Sequence, residues 1–195
     1  MLMVEADPVL VEGSLVGGRF CCPGCGGWLV PWGFARRRPV RVEGARLVWL
    51  RPRRTRCGDC GVAHVLLSVG CLARRRDSGS VIVAALVAHV GGEGFRPIAG
   101  RLGVPGSTVR GWFRRFRVNA WGLMVLFRSW ALRLDPGLDP PLPTGTVAGD
   151  ALECLGLAAR AVVMRFGPRP VSAMVARLTG GGLLSNTSSL WLRPG

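Results

Sequence analysis

FRPIAGRLGVPGSTVRGW, residues 95–112, carries apolar side chains in two helical registers separated by a corner. Ile98, Ala99 and Leu102 share one face of a first short helix, and Val109 and Trp112 resume the same spacing in a second. Ala99 is small enough for the second helix to cross close above it. Gly103 sits where the first helix must end with positive φ, a conformation that costs glycine no Cβ clash, and Val104 fills the corner. Pro97 suits the first turn of the first helix, where its missing N–H has no partner to lose, and Pro105 suits entry into the second. The stretch predicts a helix-turn-helix. With Val109 and Trp112 facing the core, Ser107, Thr108, Arg110, Gly111, Arg114 and Arg115 fall on or near the outer face, and Arg117 follows them. Such a face has the dimensions to enter a major groove, and arginine suits both phosphates and the O6/N7 edge of guanine. A plain helical hairpin has the same apolar pattern, but not this row of arginines.

All 26 basic residues are arginine, and against 11 acidic residues they leave a net charge of +15. A GC-rich coding sequence accounts for arginine in place of lysine but not for an excess of base over acid, so a polyanionic partner is expected. The charge is uneven. Residues 1–18 hold three acids and no base, and residues 19–76 hold 13 arginines against two acids (+11). Residues 77–117 hold six against two (+4), and residues 118–195 seven against four (+3). A chain of 195 residues can bury the core of one or two small domains. Its acidic start is unlike a secretory signal, and the apolar runs Val81–Val90 and Trp121–Phe127 fall short of the roughly 18–20 residues that span a bilayer. A cytoplasmic, nucleoid-associated protein with no membrane partner is expected, in a compartment where paired cysteines point to metal rather than to disulfides.

Residues 19–73 contain two such pairs. Cys22-Pro-Gly-Cys25-Gly and Cys57-Gly-Asp-Cys60-Gly repeat one device, in which a two-residue gap lets both thiolates face one ion and the following glycine permits the tight turn. Cys22, Cys25, Cys57 and Cys60 would close a tetrahedral, structural Zn²⁺ site with no open position for catalysis. Between the pairs, Val40–Glu43 and Leu47–Leu50 flank Gly44 as a hairpin, the frame of a zinc ribbon. Cys21 adjoins Cys22 and offers an alternative ligand, whereas His64 and Cys71 read as packing residues and Cys154 as core. Nine arginines between Arg36 and Arg56 decorate the ribbon, among them Arg51, Arg53, Arg54 and Arg56, which read as phosphate contacts. The interleaved Trp28, Trp32 and Trp49 read as the ribbon's core.

The remaining segments follow from caps and breakers. Residues 1–18 are an acidic arm, loose or an edge strand. Arg74, Arg75 and Arg76 form a basic hinge, after which Asp77 or Ser78 caps a helix over Val81–Val90 that ends at Gly91-Gly92, with His89 near its end. A supporting helix runs from Asn119 to Leu134, completing a helix-turn-helix domain over 74–134, and it could cover that domain's back or pair with a second copy. Residues 135–146, with four prolines, are a linker. Residues 147–166 and Val171–Leu178 are helices of a C-terminal segment (147–179), and 180–195 is a flexible tail. The expected fold class is mainly α, with a small four-cysteine ribbon, a three-helix unit and a helical C-terminal segment.

The ribbon, the arginine hinge and IAGRLGVPGSTVRGW together resemble the N-terminal region of bacterial insertion-sequence transposases, and more closely a compact actinobacterial family that carries this region without a catalytic domain. The resemblance covers roughly Cys21 to Leu134. It implies zinc on the four cysteines and DNA on the Ser107–Arg117 face. Strand-transfer chemistry needs about three carboxylates gathered around two metal ions, and beyond the helix-turn-helix only Asp135, Asp139, Asp150 and Glu153 are acidic. No catalysis and no small-molecule substrate are therefore expected. The sequence predicts a sequence-specific double-stranded DNA binder, either a transcriptional regulator or a transposase-derived protein; a single helix-turn-helix would gain affinity by dimerising on a palindrome, and the sequence leaves the oligomeric state open. The alternative is a non-enzymatic interaction module, such as an accessory protein of a transposase.

Overall fold

The computed structural model describes residues 1–185, and these are mainly helical: six α-helices beside a four-stranded and a two-stranded sheet. No helix among them is long and apolar enough to cross a membrane.

The helical part is built around one corner. α2 (Gly79–Val90) is capped by Ser78, whose Oγ accepts the Val81 N–H at 3.3 Å, while Asp77, the other candidate cap, is ion-paired to Arg41 at 2.7 Å. α3 (Phe95–Leu102) ends at Gly103 with φ +62. The Gly103 and Val104 N–H groups turn back onto the Gly100 and Ala99 carbonyls at 3.3 and 3.1 Å, and buried Val104 closes the apolar side of the same turn. Pro105 then leads into α4 (Gly106–Leu134). The separate supporting helix expected from Asn119 does not exist as such, because α4 continues unbroken through 29 residues. No proline or glycine interrupts residues 112–121, and the buried positions Val109, Trp112, Phe113, Phe116, Ala120, Leu123, Phe127 and Ala131 keep one stripe across the junction. α5 (Val147–Phe166) packs along α4 with alanines Ala151, Ala158 and Ala161 buried between them, and α6 (Val171–Leu178) returns to α2.

The β part precedes this. β1 (Leu2–Val4) and α1 (Pro8–Val16) come from the acidic N-terminal residues, which supply an edge strand and also a helix that composition did not reveal. β2 (Leu29–Phe34), β5 (Arg53–Cys57) and β6 (Ala63–Ser68) join β1 in the order β1-β6-β5-β2, with β1 parallel to β6 and the others antiparallel. β3 (Arg38–Arg41) and β4 (Leu47–Leu50) form the expected hairpin, turning at Gly44 with φ +70. α1 lays Val11 and Leu15 against Leu29, Cys57 and Leu66 on the sheet's inner face.

Three expectations are corrected here. Trp28, Trp32 and Trp49 do not form the core of this unit but are 63%, 46% and 57% exposed. Leu29 holds the inward position of β2, so strand alternation sends its neighbours Trp28, Val30 and Trp32 to the opposite face. The arginines at 74–76 are not a hinge: Arg75 donates to the Leu184 carbonyl, the Arg76 carbonyl accepts the Arg41 N–H at 2.7 Å, and Arg41 pairs with buried Asp77. Of the tail expected from Gly180, residues 180–185 pack, with Leu183 and Leu184 buried and Gly181 against Ala73. The rest of that segment, 186–195, lies outside the described residues.

The corner gives a direct test. A Cβ at Gly103 would sit in left-handed backbone and 3.3 Å from the Ala45 Cβ, whereas at Gly100, inside α3, it would meet nothing within 4 Å. Gly103→Ala should therefore destabilise the protein by about 1–2 kcal/mol, and Gly100→Ala should stabilise it by roughly 0.5–1 kcal/mol. Thermal unfolding of the pair checks the sign of both.

Candidate metal centre and nucleic-acid interface

The two cysteine pairs fold into matching turns. Gly26 (φ +78) donates to the Cys22 carbonyl at 2.8 Å, and Gly61 (φ +71) to the Cys57 carbonyl at 3.1 Å. Each turn aims two backbone N–H groups at its leading sulfur: those of Gly24 and Cys25 at Cys22, those of Cys60 and Asp59 at Cys57. The four Sγ atoms all lie within 4.8 Å of one another, with Cys25–Cys57 at 3.4 Å and Cys22–Cys60 at 3.7 Å. A tetrahedron with metal–sulfur bonds of about 2.3 Å has edges of about 3.8 Å, so the cluster is the right size to hold one metal ion.

The electrostatics point the same way. The Gly24 N–H, with help from Cys25 and His64, pulls the Cys22 thiol down to about 6. At Cys25 the Gly27 N–H also pulls down, but the Cys57 and Cys60 sulfurs and burial outweigh it and push the thiol up to about 12. Four sulfurs this close cannot all be anionic without a cation among them. Cys21 stands outside the cluster, exposed and bridged through its backbone to Trp28. His64 is packed, as expected, but against the centre itself: its Nε2 lies 3.4 Å from the Cys22 sulfur. Alternation along β6 already placed it on the inner face with Leu66, which is the signal that could have found it. Cys71 and Cys154 are buried away from the cluster, and burial pushes both thiols up.

The second feature is the outer face of the corner. Ser107, Arg110, Arg114 and Arg117 are exposed, while Thr108 and Arg115 are half-buried and Arg115 folds back onto the Gly111 carbonyl at 3.0 Å. The Arg110 guanidinium rests 5.1 Å from the centroid of Phe95, a contact between α3 and α4 that spacing alone does not reveal. Arg110, Arg114 and Arg117 rim a recess of about 640 Å³ with Phe95, His89 and Phe113. His89 and Phe113 stack face to face, 3.8 Å between centroids, so the end of α2 braces the side of α4 that carries the arginines.

The arginines of the β unit divide. Arg53 is held by Glu12 through hydrogen bonds of 2.9 and 3.0 Å and by the Gly33 carbonyl at 2.7 Å. Arg51 lies over Phe34, and Arg54 and Arg56 lie over Trp32 at 4.9 and 5.1 Å. On α5, the Asp150 carboxylate accepts the Thr144 N–H and hydroxyl at 2.7 and 2.9 Å and so fixes the entry to that helix.

The geometry predicts one metal ion per chain, measured by elemental analysis of purified protein. Cys57→Ser, which removes a buried ligand, should abolish it and lower the melting temperature, since binding energy in so small a unit is folding energy. Cys21→Ser should change neither, and metal loss in that variant would move the ligand from Cys22 to Cys21.

No family model matches the chain, and neither a curated protein nor a solved structure matches it.

Proposed function

We propose that the chain is a sequence-specific double-stranded DNA-binding protein, a four-cysteine zinc ribbon beside a helix-turn-helix, acting as a transcriptional regulator or as a transposase-derived binder. The observation that carries this reading is the placement of Arg110, Arg114 and Arg117 on the outward side of α4, just past the Gly103 corner, with no acidic partner for any of them among the described residues. α3 crosses behind, and Phe95 holds Arg110 in place, which lowers the entropy lost when the guanidinium meets a base edge. Arg51, Arg54 and Arg56 add sequence-independent attraction to phosphate. Zn²⁺ suits the sulfur cluster because four thiolates in tetrahedral array make a closed structural site for that ion. On the same proposal, residues 21–134 are related to transposase N-terminal regions.

A homodimer is the second element of the proposal. Val118 and Trp121, 79% and 66% exposed on α4 beyond the arginines, offer an apolar surface to a second copy. A palindromic target would follow from such a pair. The same surface would serve a protein partner in the competing reading, an accessory interaction module.

Selection from random duplexes with zinc-loaded protein, at two salt concentrations and again after chelation, tests the proposal. An enriched motif that weakens with salt and disappears on chelation is expected. Arg110→Ala should relax preference at one position by about 1–3 kcal/mol, while Arg54→Ala should weaken all duplexes alike and reduce the salt slope by about 0.9. Salt-sensitive binding without an enriched motif, or a complex that excess duplex cannot displace from a protein partner, would favour the interaction module instead.

A further inference from the structure

We propose that the outer face of the four-stranded sheet binds single-stranded DNA by base stacking, a site separate from the α3–α4 face. The observation is the exposure, at alternate positions, of Trp28 just before β2 and of Val30 and Trp32 on it, with Arg56 paired opposite Val30 across the β2–β5 ladder and Arg54 over the Trp32 ring. Trp28 and Trp32 are four residues apart in extended chain, about 13 Å, room for a few stacked bases. No core residue lies behind this choice of side chain, because Leu29 already fills the inward position.

The chemistry is that of a stacking platform. Every base presents a π face, so an exposed indole binds single strands with little regard to sequence, and a neighbouring guanidinium adds both stacking and phosphate attraction. Here two guanidiniums, Arg54 and Arg56, converge on the one Trp32 ring at 4.9 and 5.1 Å, and among the described residues neither has an ion pair. Arg56 is steadied by the Gly61 carbonyl at 3.1 Å, in the turn that follows Cys60, so the metal centre fixes the platform's edge. Two like charges sharing one ring repel, and a phosphate between them removes that cost. A duplex can meet these arginines only through its phosphates and leaves the rings empty, since its bases are stacked on each other and turn only their edges outward.

The strip has few groups to read base edges with. β2 contains no side-chain hydrogen-bonding group other than the Trp32 indole N–H, on β5 Thr55 is fully buried, and the Arg54 and Arg56 guanidiniums lie on the Trp32 ring. Stacking, which tolerates any base, therefore dominates. The choice of DNA over RNA rests on the duplex reading of the α3–α4 face. The stacking itself does not.

Fluorescence anisotropy of a labelled 20-nucleotide oligothymidylate with the full zinc-loaded chain tests this. Binding is expected, with Trp32→Ala weakening it about tenfold and Trp32→Phe within about twofold of the parent, while metal content and melting temperature stay unchanged. Arg54→Gln with Arg56→Gln should flatten the salt slope by about 1.4. Arg110→Ala should leave oligothymidylate binding alone, so single-strand binding that survives while no duplex motif is selected would retire the duplex reading and keep this one. The proposal is overturned if oligothymidylate does not bind, if Trp32→Ala binds it as the parent does, if polyglutamate of equal charge competes as well as unlabelled strand, or if oligouridylate binds tenfold more tightly.

Discussion

The structure depends on the burial of one apolar stripe along α4. Val109, Trp112, Phe113, Phe116, Ala120, Leu123, Phe127 and Ala131 join one core with buried residues of α2, α3 and α5, and α4 packs on all three. A single unbroken helix thus holds the helical part together. Trp112 and Phe127 are almost wholly buried, and truncating either would open a cavity of the kind that costs a core about 3–5 kcal/mol. Because the stripe fixes the rotation of α4 about its own axis, it also fixes which side chains look outward. The direction of Arg110, Arg114 and Arg117 is a consequence of where the tryptophan and phenylalanines are buried.

The β unit is held by different means. Its apolar core is thin, seven buried residues from Val4 to Leu66 with a separate cluster of Val40, Leu67 and Cys71 under the hairpin, and cannot outweigh the entropy of ordering six strands and a helix. The four sulfurs close it from the end of the sheet, joining the loop before β2 to the end of β5 and the turn before β6. Its junction to the helices mixes polar and apolar contacts: the Arg41 guanidinium meets Asp77, the Arg41 backbone pairs on both sides with Arg76 and Ser78, Met3 of β1 packs on the helical core, and Ala45 at the hairpin tip lies where a Cβ at Gly103 would meet it. Burial raises the Asp77 carboxyl even against the pull of Arg41, so this contact is a desolvated charge pair, whose loss on one side leaves the other stranded. The corner glycine of the helical part and the hairpin turn of the β part therefore constrain each other.

Elements with strong local signals were legible in the sequence. The Gly103 turn, the Ser78 cap, the bounds of α5 and α6 and the convergence of Cys22, Cys25, Cys57 and Cys60 all follow from interactions within a few residues or from a repeated motif. What was not legible depends on contacts distant in the chain. α1 hides behind an acidic composition because its partners for Val11 and Leu15 lie 14 to 55 residues away, at Leu29, Cys57 and Leu66. The unbroken α4 looked like two helices because its charge content changes near Val118 while its buried stripe does not. The interleaved tryptophans read as core, yet the strand period with Leu29 inward assigns Trp28 and Trp32 to the other face. Arg53 could not be told from Arg54 in a run of arginines, since only the fold brings Glu12 to one and Trp32 to the other.

That last difference bears on how so basic a segment folds at all. Residues 19–76 carry a charge of +11, yet among the described residues only Arg41 and Arg53 of this segment are in ion pairs. Arg37, Arg51, Arg54 and Arg56 instead lie over the rings of Trp49, Phe34 and Trp32, where the π face offers the cation a weak counter-charge and covers its apolar stem. A cation–π contact on an exposed ring is worth about 0.5–1 kcal/mol, far less than neutralisation by an anion held between two guanidiniums. The surface is folded but electrostatically incomplete. An exposed aromatic that steadies an arginine in the free protein is, for the same reason, placed to receive a base when the arginine turns to its phosphate.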